Sequence, residues 1–415
     1  MKPGDFIQKV LFVSYVPSFI ASKGDAVNER QLIFSVCDRL VKKNGKCIVI
    51  TNINAEDIEK NRIHIKNVYM TKPQNSSLIV LPLISFQPFK AILRALLSLI
   101  LALYFSIIVK IFKYKIYIYI RESENAFGFL IFPWLSSKTI VKIPFLAEEE
   151  YQVPSMMSGL SKAIFMSLDM FAMKYAYAIA VNSEFFLKTL ISKRGIVPQG
   201  KILFLPPGVD YKKISKVKSW KEEYSTKKSK NIYLIGFVGS LSKYQGIDVL
   251  ADSLALLKRF QLKKPFVILI IGDGPERKKI EKVCKEENLN CKITGFVSHE
   301  VALKYLSLLD ALIVPRVVSD ITETTIPIKI IEAWALGIPV ITTRHKVFDS
   351  LKLRDGEDII FSEPIPESVA QKIFYTLENK EIRRKLSSNG PSLAKKFYYS
   401  ILAQKLLDIY SKEEL

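Results

Sequence analysis

The chain has 415 residues, more than one hydrophobic core usually supports, so its length predicts two domains of about 200 residues each. A hydrophobic content of 49% with 24% charged residues excludes long disorder. The formal net charge of +21 indicates an acidic partner such as phospholipid, nucleic acid or a phosphorylated metabolite, and charge alone does not choose among them.

The N-terminus and the cysteines bear on the compartment. Met1–Lys9 is polar and the apolar run Val10–Val16 is short, so we expect no cleavable signal peptide. The sequence has four cysteines, which are Cys37, Cys47, Cys284 and Cys291. They have neither the spacing of metal ligands nor the density found in small secreted, disulfide-rich proteins. The sequence therefore predicts reduced, mostly buried thiols in a cytoplasmic protein, and no zinc site.

In the first half, short apolar runs alternate with helical patterns, which is typical of parallel sheets covered by crossover helices. Strands are predicted near Val10–Tyr15, Cys47–Thr51, Leu78–Leu83, Ile116–Ile120, Thr139–Ile143, Ala178–Val181 and Ile202–Leu205. Lys23 and Gly24 follow the first strand, where a glycine would let main-chain amides approach a sugar phosphate.

One segment, Ala91–Phe112, resembles a membrane helix. Its uncharged part, Ala95–Val109, is shorter than the roughly 20 residues that a spanning helix needs. A core helix, an in-plane interfacial helix and a marginal span all remain open. The all-round apolarity and the basic flanks favour a helix embedded in the cytoplasmic leaflet, with burial in the domain nearly as well supported.

The domain junction is predicted after Pro206, Pro207 and Gly208, because Tyr211–Lys230 is lysine-rich and has little apolar periodicity. The second half restarts the strand and helix alternation. Its predicted elements are strands Ile232–Val238, Phe266–Ile271, Cys291–Thr294, Ala311–Val314 and Pro339–Thr342, and helices Ile247–Arg259, Glu276–Glu287, Glu300–Leu308 and Ile328–Leu336.

Two loops of the second half follow strands. Gly239 opens the segment that contains Lys243 and ends at Gly246, where glycine permits close approach to a pyrophosphate and the lysine offers a countercharge. An ordinary strand-to-helix turn explains this loop about as well. For the second loop, Gly272–Pro275, a tight turn with a capping aspartate is the better interpretation.

The most informative stretch is Thr322–Thr342, where a polar loop, a short helix, a glycine and a buried strand follow one another. Lys329 and Glu332 share one face near the helix N-terminus, where amides and the helix dipole favour an anion. Lysine suits a phosphate, and a carboxylate one turn later can accept two hydrogen bonds from a ribose diol. The pair predicts a sugar-nucleotide site, although an ordinary exposed Lys and Glu would fit this segment equally well.

Taken together, these residues resemble the retaining group-one glycosyltransferases of the GT-B fold, which are glycogen-synthase-like and lipopolysaccharide-type enzymes. The resemblance covers nearly the whole chain. Its strongest series comprises Gly239-Ser240-Leu241, Gly246, Ile270–Pro275, Thr294–Val297, Tyr305, Asp310–Pro315, and then Pro327, Lys329, Glu332, Gly337 and Pro339. Pro206–Asp210 resembles the interdomain motif, and Phe397–Tyr410 resembles the last helix, which crosses back to the first domain.

The resemblance implies an α/β GT-B fold of two doubly wound Rossmann-like parallel-sheet domains facing a central cleft. The implied boundaries are an acceptor domain 1–208, a lysine-rich linker 209–230, a nucleotide-sugar domain 231–390 and a returning helix 391–415.

The resemblance also implies donor-binding residues. Glu332 would hold the ribose, and Phe296 and Val297 would hold the base. The diphosphate would be held by residues of several loops, namely Gly24, Gly239, Ser240, Lys243, Arg316, Thr325, Ile326, Pro327 and Lys329.

Several positions depart from the family pattern. Arginine is commoner at Ser240 and lysine at Gln245, so Lys243 or Arg316 would have to supply the missing charge. The first of the family's paired glutamates would fall at Thr324, and the chain has Glu323 one position earlier. A subgroup with Pro-x-Lys-x-x-Glu lacks that glutamate, and this chain fits the subgroup better.

Such enzymes need no metal and no cofactor beyond the nucleotide-diphosphate sugar, because fixed cations and helix amides stabilise the departing diphosphate. Retention through attack on the same sugar face makes a strong protein base dispensable, and none of His64, His299 and His345 falls where the family often carries a histidine. Arg121 and Glu148, with Lys243, are the candidate catalytic residues. Glu149 and Glu150 are better explained as surface ion pairs.

For the acceptor, the excess lysine and the Ala91–Phe112 helix together suggest a glycan or a polyprenyl-linked glycan at an anionic membrane surface. We therefore expect a cytoplasmic protein that is peripheral on the inner face of the cell membrane. Nucleic-acid binding is not expected, because the lysines lack interleaved aromatic platforms. Another GT-B chemistry, such as a phosphorylase or epimerase, and a degenerate transferase that binds without transfer are the alternatives.

Overall fold

The computed structural model describes residues 10–17, 25–54, 62–74, 76–83, 90–146, 159–225 and 231–411. The described chain divides into two compact units. The first unit ends at Pro206 and takes up the chain again at Tyr399, and the second unit runs from Pro207 to Tyr398.

The first unit is built on a parallel sheet of seven strands in the order β3-β2-β1-β4-β5-β6-β7. The central strands β1, β4, β5 and β6 are apolar and buried on both faces, as parallel strands between two helix layers must be, whereas the edge strands are partly exposed. The strands are β1 (Val10–Tyr15), β2 (Lys46–Asn54), β3 (Ser76–Leu83), β4 (Lys115–Arg121), β5 (Thr139–Lys142), β6 (Ala178–Val181) and β7 (Lys201–Phe204). The described helices are α1 (Asp25–Val41), α2 (Arg62–Thr71), α3 (Lys90–Phe112), α4 (Ser123–Ile131), α5 (Pro133–Ser136), α6 (Gly159–Tyr175) and α7 (Glu184–Arg194).

Helix α3 presents two different apolar faces. Its buried side chains are mainly the small residues Ala91, Ala95, Ser98 and Ala102, together with the larger Arg94 and Phe105. The apolar segment Ala91–Phe112 is long enough to cross a membrane by length and composition, and 28% of its most apolar window is buried inside the protein. Burial within the domain, one of the sequence-based alternatives, therefore applies to one face of the helix and not to most of its apolar surface.

The second unit has a parallel sheet of six strands in the order β10-β9-β8-β11-β12-β13. Its strands are β8 (Tyr233–Val238), β9 (Phe266–Ile271), β10 (Cys291–Ile293), β11 (Ala311–Val314), β12 (Val340–Thr343) and β13 (Ile360–Ser362). Its helices are α8 (Tyr211–Ser225), α9 (Ile247–Leu257), α10 (Arg277–Glu286), α11 (His299–Ser307), α12 (Asp320–Thr324), α13 (Ile328–Leu336), α14 (Pro366–Glu378) and α15 (Lys380–Lys395).

The segment 209–230 was predicted to be a lysine-rich linker, but its residues Tyr211–Ser225 form helix α8. Ile214 and Val217 lie three residues apart on this helix, and both are buried in the core of the second unit. That short apolar face is enough to dock a helix whose other positions are mostly lysine or polar.

The predicted returning helix is divided in two. Helix α15 packs on α13 in the second unit, and α16 (Tyr399–Ser411) packs on α1 in the first unit. Tyr410 anchors α16, because its hydroxyl donates to the Ile118 carbonyl at 2.6 Å and its ring stacks on Tyr117.

The cysteine prediction is correct for one pair and wrong for the other. Cys37 and Cys47 are free and buried. Cys284 and Cys291 form a disulfide that joins α10 to the start of β10, with 6.1 Å between their Cα atoms. The two residues are only seven positions apart, and the turn between helix and strand brings their side chains together.

Candidate functional site

The site lies where the strand order of the second sheet changes direction. The chain passes from β8 to β9 on one side, and β11 occupies the other side of β8. In open parallel sheets the carboxyl ends of the strands at such a switch point form the usual ligand site. The loops that begin at Gly239, after β8, and at Pro315, after β11, both start at this edge.

Helix α13 begins at this edge with Pro327 as its N-cap, and no side chain caps its first turn. The helix forms because Ile330, Ile331 and Trp334 are buried against the sheet, and Gly337 ends it in the left-handed conformation at φ 70°. Amides of an uncapped first turn favour an anion.

Lys329 lies in the first turn of α13. Its ammonium donates to Gln245 Oε1 at 2.9 Å and stands 4.0 Å from the centre of the Phe237 ring. Burial, reinforced by the nearby Arg316 charge, lowers the pKa of Lys329 well below its usual value, against the opposing effect of Glu332. Among the residues that the structure describes, no carboxylate lies within ion-pair distance of this ammonium.

Arg316 supplies a second cation two residues after β11, and this one is buried. The residue is 7% exposed, and its Nη1 donates to the Thr325 carbonyl at 3.3 Å. Its Nε is buried without a hydrogen-bond partner in the described part of the chain. Burial lowers the pKa of Arg316 to about 10. Two neighbouring cations, one of which lowers the pKa of the other, lie beside helix amides and make an environment suited to a polyanion.

Glu332 is 7% exposed and lies one turn after Lys329. Its Oε1 is 2.6 Å from Nε2 of His299, the first residue of α11. The hydrogen bond to Glu332, together with the charge of that carboxylate, raises the pKa of His299. The His299 side chain is half exposed.

The remaining predicted donor residues are distributed around this group. Gly239 has φ 131°, a backbone conformation that favours glycine, and a Cβ there would lie 2.7 Å from the Lys329 ammonium, so a larger residue would displace that side chain. The Gly239 amide itself donates to the Ile271 carbonyl at 2.9 Å. Ser240 and Lys243 are exposed on the same loop.

Phe296 and Val297 precede α11. The Phe296 ring is 68% exposed, whereas Val297 packs against the core. In the loop before α13, Thr325 is half-buried and Ile326 is buried, so the Ile326 side chain contributes to the core and only its backbone can reach a ligand.

Glu323, which lies one position before the expected family glutamate, is turned into the protein. It is 6% exposed, and its carboxylate is 3.1 Å from His345 Nδ1 and 3.6 Å from the Lys346 ammonium. At this position, one residue earlier in the chain, the Glu323 carboxylate pairs with His345 and Lys346.

The candidate catalytic residues of the first unit were Arg121 and Glu148. Arg121 ends β4, is 6% exposed and pairs with Glu29 Oε2 at 3.0 Å. Lys142 reaches the same oxygen at 3.1 Å, and the Tyr119 hydroxyl donates to Glu29. Burial would raise the pKa of Glu29, but these three partners outweigh it and lower that pKa. Gly24 and Glu148 lie outside the described residues.

The sequence did not identify His299 or Gln245 as site residues. His299 lies 33 positions before its partner and on another helix, so spacing gives no sign of the contact. Gln245 was noted only as the absence of a lysine, whereas in the structure it accepts a hydrogen bond from Lys329. The available signal for His299 was its place just after the Gly295-Phe296-Val297 loop.

Sequence comparisons relate part of this chain to known glycosyltransferases. Residues 218–393 match the family model described as glycosyl transferases group 1. An uncharacterized glycosyltransferase of Methanocaldococcus jannaschii is 24% identical over 177 residues, covering 42% of this chain and 47% of that protein. The alpha-D-kanosaminyltransferase of Streptomyces kanamyceticus is 29% identical over 183 residues, covering 43% of this chain and 45% of that protein. The match thus spans just under half the length of either relative.

Among solved structures, Anabaena HepE in complex with UDP and glucose superposes with a TM-score of 0.65 at 16% identity, covering 98% of this chain and 100% of that one. At that identity the likeness shows the fold alone. The fold class is confirmed: the chain has two Rossmann-like parallel-sheet units and the GT-B fold.

Proposed function

We propose that this chain, whose residues 218–393 match the family model of group 1 glycosyl transferases, transfers a sugar from a nucleoside-diphosphate sugar to a hydroxyl group. One observation carries the proposal. At the uncapped N-terminus of α13, Arg316 is buried and Lys329 is half-buried, and neither has a carboxylate at ion-pair distance among the described residues. A diphosphate supplies the charge that this group lacks.

The residues around the cations suit the other parts of such a donor. Glu332 lies one turn further along α13, where its carboxylate can accept the ribose hydroxyls. His299 holds Oε1 of that carboxylate and so fixes its orientation. The exposed ring of Phe296 offers a stacking surface for the base, and the exposed Lys243 adds a third positive charge beside Gly239.

The proposed reaction is a metal-independent transfer with retention, as in the Pro-x-Lys-x-x-Glu subgroup. The bond from the anomeric carbon to the diphosphate oxygen breaks, and a bond to the acceptor oxygen forms on the same face of the sugar. The acceptor proton passes to the leaving diphosphate oxygen. Lys329, Arg316 and the α13 amides stabilise the charge that develops on that diphosphate, which is the role a metal plays elsewhere.

For the donor, we propose a uridine diphosphate hexose as the first candidate, since Anabaena HepE is described in complex with UDP and glucose. For the acceptor, we propose a glycan or a polyprenyl-linked glycan at the cytoplasmic face of the membrane. The formal net charge of +21 supports an anionic surface there.

A donor panel tests the proposed function. The full chain is incubated with uridine, guanosine and adenosine diphosphate sugars, and thermal unfolding and slow release of the nucleoside diphosphate are measured. We expect one nucleotide series to raise the unfolding midpoint and to be hydrolysed, with no need for added Mg²⁺. Unchanged midpoints with all three series would refute the proposal.

A further inference from the structure

We infer that the outer face of α3 is a docking surface for an anionic phospholipid bilayer, on which the helix lies in the plane of the headgroups without crossing. The inference goes beyond the proposed transfer reaction and does not depend on it. It concerns the first unit, and it is drawn from exposure, packing and charge in residues 90–138.

The outer face carries a continuous line of large aliphatic side chains at steps of three and four residues, between 40% and 66% exposed. These residues, called here the α3 stripe, are Ile92, Leu96, Ile100, Leu103, Ile107 and Ile111. Six such side chains on one face of a helix form an apolar patch of a size that water-exposed surfaces rarely carry without a partner.

The opposite face of α3 is fastened to α4. The Gly128 amide donates to Ser98 Oγ at 2.8 Å, and a Cβ at Gly128 would lie 2.2 Å from the Leu99 amide nitrogen. The two helix backbones are therefore in direct contact. Because α3 is held along its small-residue face by the body of its unit, lipid can reach its outer surface, which comprises the α3 stripe and the exposed Leu93, Tyr104 and Phe112. A crossing would require α3 to leave α4.

An aromatic residue continues the apolar surface beyond α3. Trp134, in α5, is 58% exposed, and its indole nitrogen donates to Ser106 Oγ on α3 at 3.1 Å. Ile131, at the end of α4, is 42% exposed. A tryptophan beside an aliphatic face is the arrangement favoured at the boundary between headgroups and acyl chains.

The charges around the stripe are positive. No acidic residue occurs from Lys90 to Arg121, and Lys110 and Lys113 are exposed at the C-terminal end of α3. The next two acids, Glu122 and Glu124, each lie 2.8 Å from Nη1 of the buried Arg94. Two copies of the chain that met through this face would bring their lysines together, whereas an anionic bilayer neutralises them.

Vesicle sedimentation tests the inference. The full chain is mixed with vesicles of phosphatidylcholine alone or with 30% phosphatidylglycerol, a fraction chosen to be roughly that of an anionic leaflet. We expect binding to the anionic vesicles that weakens with salt, and a reduction of about tenfold or more in I100E/I107E. The matched control is I63E/M70E on α2, whose replaced side chains are 78% and 79% exposed in the same unit, and it should bind like the wild type.

Two further measurements define the mode of binding. Brominated lipid should quench wild-type tryptophan fluorescence but quench Trp134→Phe much less, and an alkaline carbonate wash should release the bound protein. Binding that survives the wash, equal binding by wild type and I100E/I107E, or a wild-type dimer that I100E/I107E dissociates without any vesicle binding would each overturn the inference. The donor-induced thermal shift should be the same in I100E/I107E and wild type, so failure of the docking surface is distinguishable from failure of the proposed function.

Discussion

Without a ligand, the placement of Lys329 beside Arg316 lowers the stability of the folded protein. Both groups have lowered pKa values, and neither contacts a carboxylate among the described residues. A group whose pKa is lower in the folded than in the unfolded state disfavours folding at pH values where the unfolded chain holds the proton. For a lysine that range includes neutral pH. The protein retains these charges although they do not favour its own stability, which is typical of binding residues.

The Lys329→Met variant separates the two effects. Methionine keeps the length and the contact with the Phe237 ring but removes the desolvated ammonium, so the unfolding midpoint without ligand should not fall. Nucleoside diphosphate affinity should fall about 10- to 100-fold, since a hydrogen bond to a charged group contributes roughly 1.5–3 kcal/mol. Differential scanning fluorimetry and titration calorimetry measure the two quantities.

The exposed Lys278, on α10 of the same unit, provides the control. Lys278→Met should leave both the midpoint and the affinity unchanged. A lower midpoint in Lys329→Met with unaltered affinity would assign Lys329 to stability instead of binding.

Individual contacts were the part of the site least accessible to the sequence. Lys329 and Glu332 were predicted to share a face because their helix is continuous and its period is fixed. Glu332 contacts His299, and Lys329 contacts Gln245, although the partners are far apart in sequence. These contacts depend on how separate segments pack together in the fold, which local sequence does not show.

At the scale of elements, the turn from β8 to α9 positions the cations. Gly246 has φ 72°, and a Cβ at this position would lie 1.6 Å from the Pro315 carbonyl oxygen. The loop after β8 is therefore packed directly on the segment that carries Arg316. This close approach requires glycine for two reasons, the backbone conformation and the lack of space.

A pair of alanine variants distinguishes the two reasons. Gly356 has φ 79° and nothing within 4 Å of a built Cβ, so Gly356→Ala should lower the free energy of unfolding only by the conformational term, about 1–2 kcal/mol. Gly246→Ala should lower the free energy of unfolding further, and it should also weaken nucleotide binding by moving Arg316. Denaturant unfolding followed by fluorescence measures the difference. If both variants lowered the free energy of unfolding by the same amount and nucleotide affinity were unchanged, the argument that Gly246 is required for close packing would be contradicted.

The sequence predicted strands correctly where both faces of the strand are buried. Strands such as β4 and β9 are continuous apolar runs because both faces are covered, so their type and position were correct. Prediction failed where the apolar signal is short: β13 has three residues, and the buried apolar positions of α8 lie among five lysines of that helix. In both cases tertiary contacts, more than local pattern, determine the structure.

At the scale of the whole molecule, the two units carry different kinds of surface. The second unit has the cation pair and the buried carboxylate, and the first has the α3 stripe with its basic flanks. The length of the chain and its alternating pattern were sufficient to predict two Rossmann-like units. The catalytic roles of Arg121, which pairs with Glu29, and of Glu148 remain predictions, as does the approach of the Gly24 main chain to the donor's sugar phosphate.

The central claim is that the Glu332 carboxylate holds the ribose of a nucleoside diphosphate. Its most direct test is titration calorimetry with the tightest-binding nucleoside diphosphate and its 2′,3′-dideoxy analogue, on wild type, Glu332→Gln and the exposed control Glu300→Gln. Thermal melts verify that each variant is folded.

We predict that the wild type and Glu300→Gln bind the dideoxy analogue about 10- to 100-fold more weakly than the parent nucleotide, as loss of hydrogen bonds to a carboxylate implies. Glu332→Gln should bind both ligands with the same weak affinity. A folded Glu332→Gln variant that binds the parent nucleotide as tightly as the wild type, and still discriminates against the dideoxy analogue, would contradict the claim.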